Sequence, residues 1–214
     1  MKIGIIGSGD VGQAIGLGFS NLCHEVKIGS REPKSEKLQN WIKKAKKSST
    51  GTFEETAKFG EIIILATLWT GTESALKLAK FENLANKIVI DVTNPLDFSS
   101  GMPPKLAVGF NNSGGETIQK LLPKSHVVKT LNIIGNKYMV NPKFKEGDPD
   151  MFLCGNNKEA KKKVEQILKD FGWKYITDLG NIDQARIMEP LCILWVNFGI
   201  INNSWDHAFK VLRK

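Results

Sequence analysis

Three glycines at positions 7, 9 and 12, set between an apolar run and an amphipathic one, constrain this chain more than any other feature. Lys2-Ile3-Gly4-Ile5-Ile6 comes before them, with the length and composition of a buried strand. Val11, Ala14, Ile15, Gly18, Phe19 and Leu22 follow at the spacing of one helical face, and Val26-Lys27-Ile28 reads as a second strand. Strand, glycine turn, helix and strand make the setting in which Gly-x-Gly-x-x-Gly holds a dinucleotide. Gly7 permits the sharp turn, Gly9 lets backbone approach a pyrophosphate, and Gly12 lets the helix lie close to the sheet. The free N–H groups of the helix start face the phosphates. Gly7, Ser8, Gly9, Asp10, Val11 and Gly12 are therefore candidate cofactor-binding residues.

The residues after the second strand select the dinucleotide. An NAD site places an acid there for the ribose hydroxyls. This chain has Gly29-Ser30-Arg31. A carboxylate would repel a 2′-phosphate, whereas a hydroxyl and a guanidinium bind one. Lys34, one turn further, adds charge. NADP(H) is expected over NAD(H).

With 214 residues, 41% hydrophobic and 24% charged, the chain has the make-up of a globular protein with one good core. Cys23, Cys154 and Cys192 lie far apart in apolar surroundings; they form no metal-ligand spacing and read as buried reduced thiols. Met1 leads straight into the first strand, so no signal peptide is expected and the cytoplasm is the expected location. The formal charge of +8 raises nucleic acid as a partner. The lysines answer otherwise. Lys43, Lys44, Lys46 and Lys47 fall where a helix should end, and Lys161, Lys162 and Lys163 on the outer face of another. Both groups read as solvated surface, and neither nucleic acid nor a membrane is an expected partner.

Further along, the pattern predicts a helix over 35–47 with Leu38, Trp41, Ile42 and Ala45 inward, then a loop over 48–52. Thr52 and Glu55 form a capping box for a helix over 53–59. A buried strand over 61–66 runs into Thr67, Leu68, Trp69 and Thr70, followed by a helix over 73–80 and a strand over 87–92 ending near Asn94 and Pro95. Residues 97–112 read as a long loop. Ser113 opens a helix to 122; 126–131 is a strand leading to Asn132, and 132–149 a second loop. Strand 151–154, helix 158–171 and strand 174–178 complete an alternating order. Alternation implies a mostly parallel, doubly wound α/β sheet of Rossmann type. Ligands lie beyond the carboxyl ends of such strands, so the loops at Gly7, Gly29, Thr67, Thr93 and Asn132 are expected to ring one cleft. Residues 1–180 would form the dinucleotide domain and 181–214 a short helical extension packed on it. In the extension Pro190 suits a helix start, and 191–201 is apolar nearly all round. A buried helix is expected; apolar surface on every side also suits contact with a second subunit.

The chain resembles the NADP oxidoreductases dependent on coenzyme F-420, which move hydride between NADPH and a deazaflavin. The resemblance covers nearly the whole length. It rests on Ile5-Ile6-Gly7-Ser8-Gly9-Asp10-Val11-Gly12, Gly29-Ser30-Arg31, Asp91-Val92-Thr93-Asn94-Pro95-Leu96, Val127-Val128-Lys129-Thr130-Leu131-Asn132 and Asp178-Leu179-Gly180. Ala185-Arg186-Ile187-Met188-Glu189-Pro190-Leu191 completes it. The chain is also similar to the reductase part of ferric metalloreductases, which pass electrons to a flavin. The resemblance implies Ser30 and Arg31 on the 2′-phosphate, and Leu68, Trp69, Asn94 and Pro95 beside the dinucleotide. A second ring, deazaflavin or flavin, would lie over the nicotinamide near Asn132 to Gly135 and the tail.

Hydride transfer between two flat rings needs little from side chains beyond positioning. His24, His126 and His207 read as surface or packing histidines, no catalytic side chain is singled out, and no metal site is expected. Arg186 and Glu189, one turn apart, read as an intrahelical pair, with Arg186 against an anionic cofactor tail as the alternative. Two other functions stay open: a redox-sensing module that holds NADP(H), and a reductase of small carbonyl or imine substrates. Reductases of the latter kind usually append a large helical domain, and here only residues 181–214 follow Gly180.

Overall fold

The computed structural model describes residues 1–213. Five strands run parallel through its centre: β1 (Lys2–Ile6), β2 (Glu25–Gly29), β4 (Ile62–Leu65), β5 (Ile88–Asp91) and β8 (His126–Thr130). The full order is β10-β9-β8-β5-β4-β1-β2-β3, where β3 is Ser48–Gly51, β9 Asp150–Gly155 and β10 Tyr175–Asp178. The chain builds outward from β1 to β3, then returns to β4 on the other side. The point where the winding reverses lies between β1 and β4, where the first glycine turn leaves the sheet. β9 pairs antiparallel with β8, and β10 parallel with β9, so these two reverse the expected direction. Hydrophobic runs alone do not encode direction, and the connection over 131–149 returns the chain to the edge it left.

The central strands are apolar on both faces, as burial between two helical layers requires. Ile3, Ile5, Val26, Ile28, Ile62, Ile64, Ile90 and Val128 point to one core, shared with Ile15, Phe19, Val164 and Leu168. These come from the helices α1 (Asp10–Asn21) and α6 (Lys158–Asp170). Ile6, Ile63, Leu65, Val89 and Val127 point to the other, with Ala57, Leu76, Ile118 and Met188. Those sit on α3 (Phe53–Phe59), α4 (Trp69–Ala79), α5 (Gly114–Leu121) and α7 (Ala185–Ile201).

Several boundaries differ from the sequence pattern. Residues 48–51, expected as loop, form the edge strand β3; Ser30 N–H donates to Gly51 O at 3.0 Å and the polar outer edge hides the signal. The helix α2 (Glu36–Ile42) stops early, and Lys43 to Lys47 make a turn held by Ser20 Oγ donating to Lys46 O. α4 starts at Trp69, because Thr72 Oγ1 bonds back to Leu68 O and to Thr67 Oγ1. Residues 97–112 carry a small hairpin of β6 (Leu96–Asp97) and β7 (Lys105–Leu106). Leu22 and Cys23 turn outward beyond the end of α1, so Cys23 is exposed while Cys154 and Cys192 are buried. Lys161 is drawn down to Asp178 at 2.9 Å instead of standing in solvent. The capping box on α3 forms as its pattern predicts.

α7 begins five residues before Pro190, which sits inside it, entered through a 3-10 turn at Ile182–Gln184. Nor is it buried all round. Ile187, Leu194 and Ile201 are 59%, 55% and 82% exposed, whereas Met188, Cys192 and Val196 pack inward. Among the described residues, no helix is long and apolar enough to cross a membrane.

Candidate cofactor site

The five parallel strands end at one edge, and the turns at Gly7, Gly29, Thr67, Thr93 and Asn132 leave it together. The glycine turn is locked by its neighbours. Gly7 has φ +128°, and a Cβ there would lie 2.2 Å from Ala66 O. A Cβ on Gly12 would lie 2.1 Å from Gly7 O. Gly9 is different: a Cβ there meets no protein atom within 4 Å. Backbone at Gly9 therefore faces open space at the start of α1, the cradle a diphosphate needs. Val11 is half-buried beneath it, and Gln13 Nε2 braces the turn by donating to Ser8 O at 2.8 Å.

At the end of β2, Ser30 is buried and its hydroxyl accepts from Ser8 Oγ at 3.2 Å and from Glu32 N–H at 3.1 Å. With both acceptor positions filled, its single O–H is left to donate outward. Arg31 and Lys34 are exposed, and among the described residues neither is paired with a carboxylate. Asp10 is paired, with Lys37 at 2.7 Å, so its negative charge beside a phosphate site is offset. Ser8 and Ser30 thus meet beside the glycine turn, with Arg31 next in the chain.

The other half of the edge is built differently. Trp69 is half-buried, and its ring stands 3.1 Å from where a Gly114 Cβ would lie; Leu68 beside it is exposed. Asn94 Nδ2 donates to Asn132 O at 2.8 Å, and Asn132 Nδ2 donates to Asn94 Oδ1 at 3.0 Å and Met188 O at 2.9 Å. Asn132 Oδ1 is buried with no hydrogen-bond partner among the described residues. Pro95 follows, buried against Gly114. Beneath this pair lies an ionic cluster that the sequence pattern did not reveal. Lys129 Nζ donates to Asp91 Oδ2 at 2.8 Å, Thr93 O at 2.8 Å and Glu189 Oε1 at 3.0 Å. Burial alone would lower the Lys129 ammonium, but Asp91 and Glu189 outweigh it and hold it above the ordinary lysine range.

With this geometry, similarity to known proteins becomes informative. The profile of the family "NADP oxidoreductase coenzyme F420-dependent" matches residues 2–95. The F420-dependent NADP reductase of Methanocaldococcus jannaschii is 31% identical, over 99% of this chain and 98% of its own. The chain belongs to the coenzyme F420-dependent NADP oxidoreductase family. It is an NADP-dependent oxidoreductase. A provisionally assigned F420-dependent NADP reductase from Arthrobacter sp. FB24 superposes with a TM-score of 0.95 at 37% identity, with all of both chains covered. Metalloreductase STEAP3 of Rattus norvegicus is 30% identical over 89% of this chain but only 36% of its own. The chain spans about a third of that relative. An imine reductase of Streptomyces aurantiacus, with a TM-score of 0.65 at 13% identity, shares the fold alone, and this chain covers 64% of it.

In this family member α7 is fastened to α5 through two separate carboxylates. Arg186 and Glu189 do not pair within the helix. Arg186 makes a two-pronged bridge to Glu116 on α5, Nε to Oε2 at 2.8 Å and Nη2 to Oε1 at 2.6 Å, and holds the Glu116 carboxyl below its usual range. Glu189 instead accepts from the N–H groups of Gly114 and Gly115 at 2.9 and 3.0 Å, at the start of α5. Burial pushes the thiols of Cys154 and Cys192 up to about 12, so neither offers a thiolate at neutral pH. His207, beyond the end of α7, stacks on Trp195 at 4.7 Å, a packing role.

Proposed function

We propose that this enzyme transfers a hydride between NADPH and a flat heteroaromatic acceptor, a deazaflavin or a flavin. The adenine-side phosphates rest on the turn Gly7 to Gly12, the 2′-phosphate on Ser30, Arg31 and Lys34, and the nicotinamide half against Thr67, Leu68, Trp69, Asn94, Pro95 and Asn132. The nicotinamide supplies the hydride; the chain supplies position and exclusion of water.

One observation carries the choice of acceptor. The strand ends on the nicotinamide side present two interlocked amides, Asn94 and Asn132, among Leu131, Ile133 and Ile134. The ionisable groups below them, Asp91, Lys129 and Glu189, are buried and spent on one another. Reduction of a carbonyl or imine calls for a proton donor within hydrogen-bond reach of the substrate. Transfer between two stacked rings needs only close, parallel placement. NADPH oxidation measured with free flavin, with deazaflavin and with a panel of carbonyl and imine compounds tests this. Turnover with one of the ring acceptors is expected. Turnover with carbonyls alone rejects the reading, and tight NADPH binding without turnover by any acceptor identifies a sensor.

The same reading includes a homodimer. Ile187, Leu194 and Ile201 recur every seven residues along α7, with Phe198 beside them, and all four are exposed. A heptad seam of this kind matches a second copy of itself. Sedimentation at micromolar concentration is expected to show a dimer, and Leu194→Lys combined with Ile201→Lys a monomer. A monomeric wild type removes the dimer from the account.

A further inference from the structure

Two features distinguish the buried cluster from an ordinary core ion pair. The first is where its members come from. Lys129 lies on β8, three residues before Asn132. Asp91 ends β5, three residues before Asn94, and Glu189 is on α7, next to Met188. The second is that every member is used. The Lys129 ammonium spends all three donors on Asp91, Thr93 O and Glu189. Asp91 Oδ1 accepts both N–H and Oγ1–H of Thr93, at 2.9 and 2.7 Å, which sets the direction in which the chain leaves β5. Glu189 holds the start of α5 through Gly114 and Gly115. Met188 O, one residue away, accepts a hydrogen bond from Asn132 Nδ2.

We propose that Lys129 is a positioning residue, the single cation that sets where Asn94, Pro95 and Asn132 stand against the nicotinamide half of the cofactor. The proposal rests on the cofactor placement argued above. The ends of β5 and β8 and the Glu189 carboxylate of α7 converge on the Lys129 ammonium; Asp91 and Lys129 each lie three residues before an amide of the strand edge, and Glu189 lies next to Met188, whose carbonyl holds Asn132. None of the contacts of the phosphate half passes through it. Gly7 packs against Ala66, Gln13 braces Ser8, and Ser30 is bonded by Ser8 and Glu32. Lys129 therefore governs one half of the site and not the other, which a general stabilising role does not do.

Titration calorimetry with two ligands tests this: NADPH, and adenosine 2′,5′-bisphosphate, which carries the adenosine and its phosphates without nicotinamide. Two variants are compared with the wild type. Lys129→Met removes the cation. Lys129→Met combined with Glu189→Gln also removes one carboxylate, so the cluster keeps its formal charge of one negative. In the charge-balanced variant, affinity for the bisphosphate is expected to stay within about twofold, as for sites without shared partners. NADPH is expected to weaken by about fivefold or more, the lower end of coupling between distinct sites. Retained bisphosphate binding also shows that the variant is folded, and the double variant decides where the single one loses both ligands. Equal loss of both ligands in the double variant overturns the proposal, and so does unchanged binding of both. A wild type that binds neither ligand sinks the cofactor placement itself, and this proposal with it.

Discussion

Arg31→Ala is expected to weaken NADPH binding by about 10- to 100-fold, the range set by roughly 1.5–3 kcal/mol for a charged hydrogen bond. Binding of NADH should change by less than about twofold, since a ligand without the 2′-phosphate loses no partner. The asymmetry follows from how the two residues proposed for the 2′-phosphate are held. Ser30 is buried, its acceptor positions filled by Ser8 and Glu32, so it offers one preset donor to whatever stands in front of it. A ribose hydroxyl accepts such a donor nearly as well as a phosphate does. Arg31 is exposed and, among the described residues, bonded to no carboxylate, so its charge would distinguish the two dinucleotides. Calorimetry at fixed ionic strength measures the ratio, and raising the salt should narrow it because the site is open to solvent. If Arg31→Ala holds NADPH over NADH as the wild type does, selection of the phosphorylated dinucleotide lies elsewhere.

The glycine turn and strand end proposed to hold the phosphates were legible in the sequence as local structure. Gly7 to Gly12 and Gly29 to Arg31 sit on adjacent strands joined by one helix, and each residue's task follows from its type. The capping box at Thr52 and Glu55 was legible for the same reason. The nicotinamide half was legible only as strand ends. What fixes those ends is a lysine on one strand, an aspartate on another and a glutamate on a helix, up to about a hundred residues apart. A trace existed: Lys129 lies in Val127-Val128-Lys129-Thr130-Leu131, and Asp91 ends an equally apolar run. Charged residues inside strands that must be buried demand buried partners. Type alone could not tell which partners, and Arg186 beside Glu189 offered a nearer false answer. Direction was lost in the same way. β9 and β10 have the composition of the parallel strands, and only the path of 131–149 turns them over. β3 carried no apolar signal because its outer edge and both faces are polar serines and a threonine.

Gly9→Ala and Gly12→Ala are expected to fail in different ways, and the difference locates the cofactor. At Gly12 the added methyl would meet Gly7 O at 2.1 Å and the Ile5 side chain at 3.3 Å, so the turn or α1 must move. Overpacking of this kind costs about 1–3 kcal/mol. For a chain of this size that lowers Tm by about 2–12 °C, at about 2–4 °C per kcal/mol. The displaced N–H groups lose NADPH as well. At Gly9 the backbone is extended, with φ −70° and ψ −178°, a conformation open to any residue, and the methyl points into space free of protein atoms. Tm should hold or rise by a degree or so, because alanine restricts the unfolded chain where the native conformation suits it. Yet the methyl occupies the place where backbone approaches the diphosphate, and NADPH affinity should fall by about tenfold or more, the loss of one charged hydrogen bond. Melting curves with and without NADPH read both effects in one experiment. A Gly9→Ala protein that melts like the wild type and is stabilised by NADPH just as strongly removes the diphosphate from this turn, and with it the physical basis for reading the three glycines as a cofactor cradle.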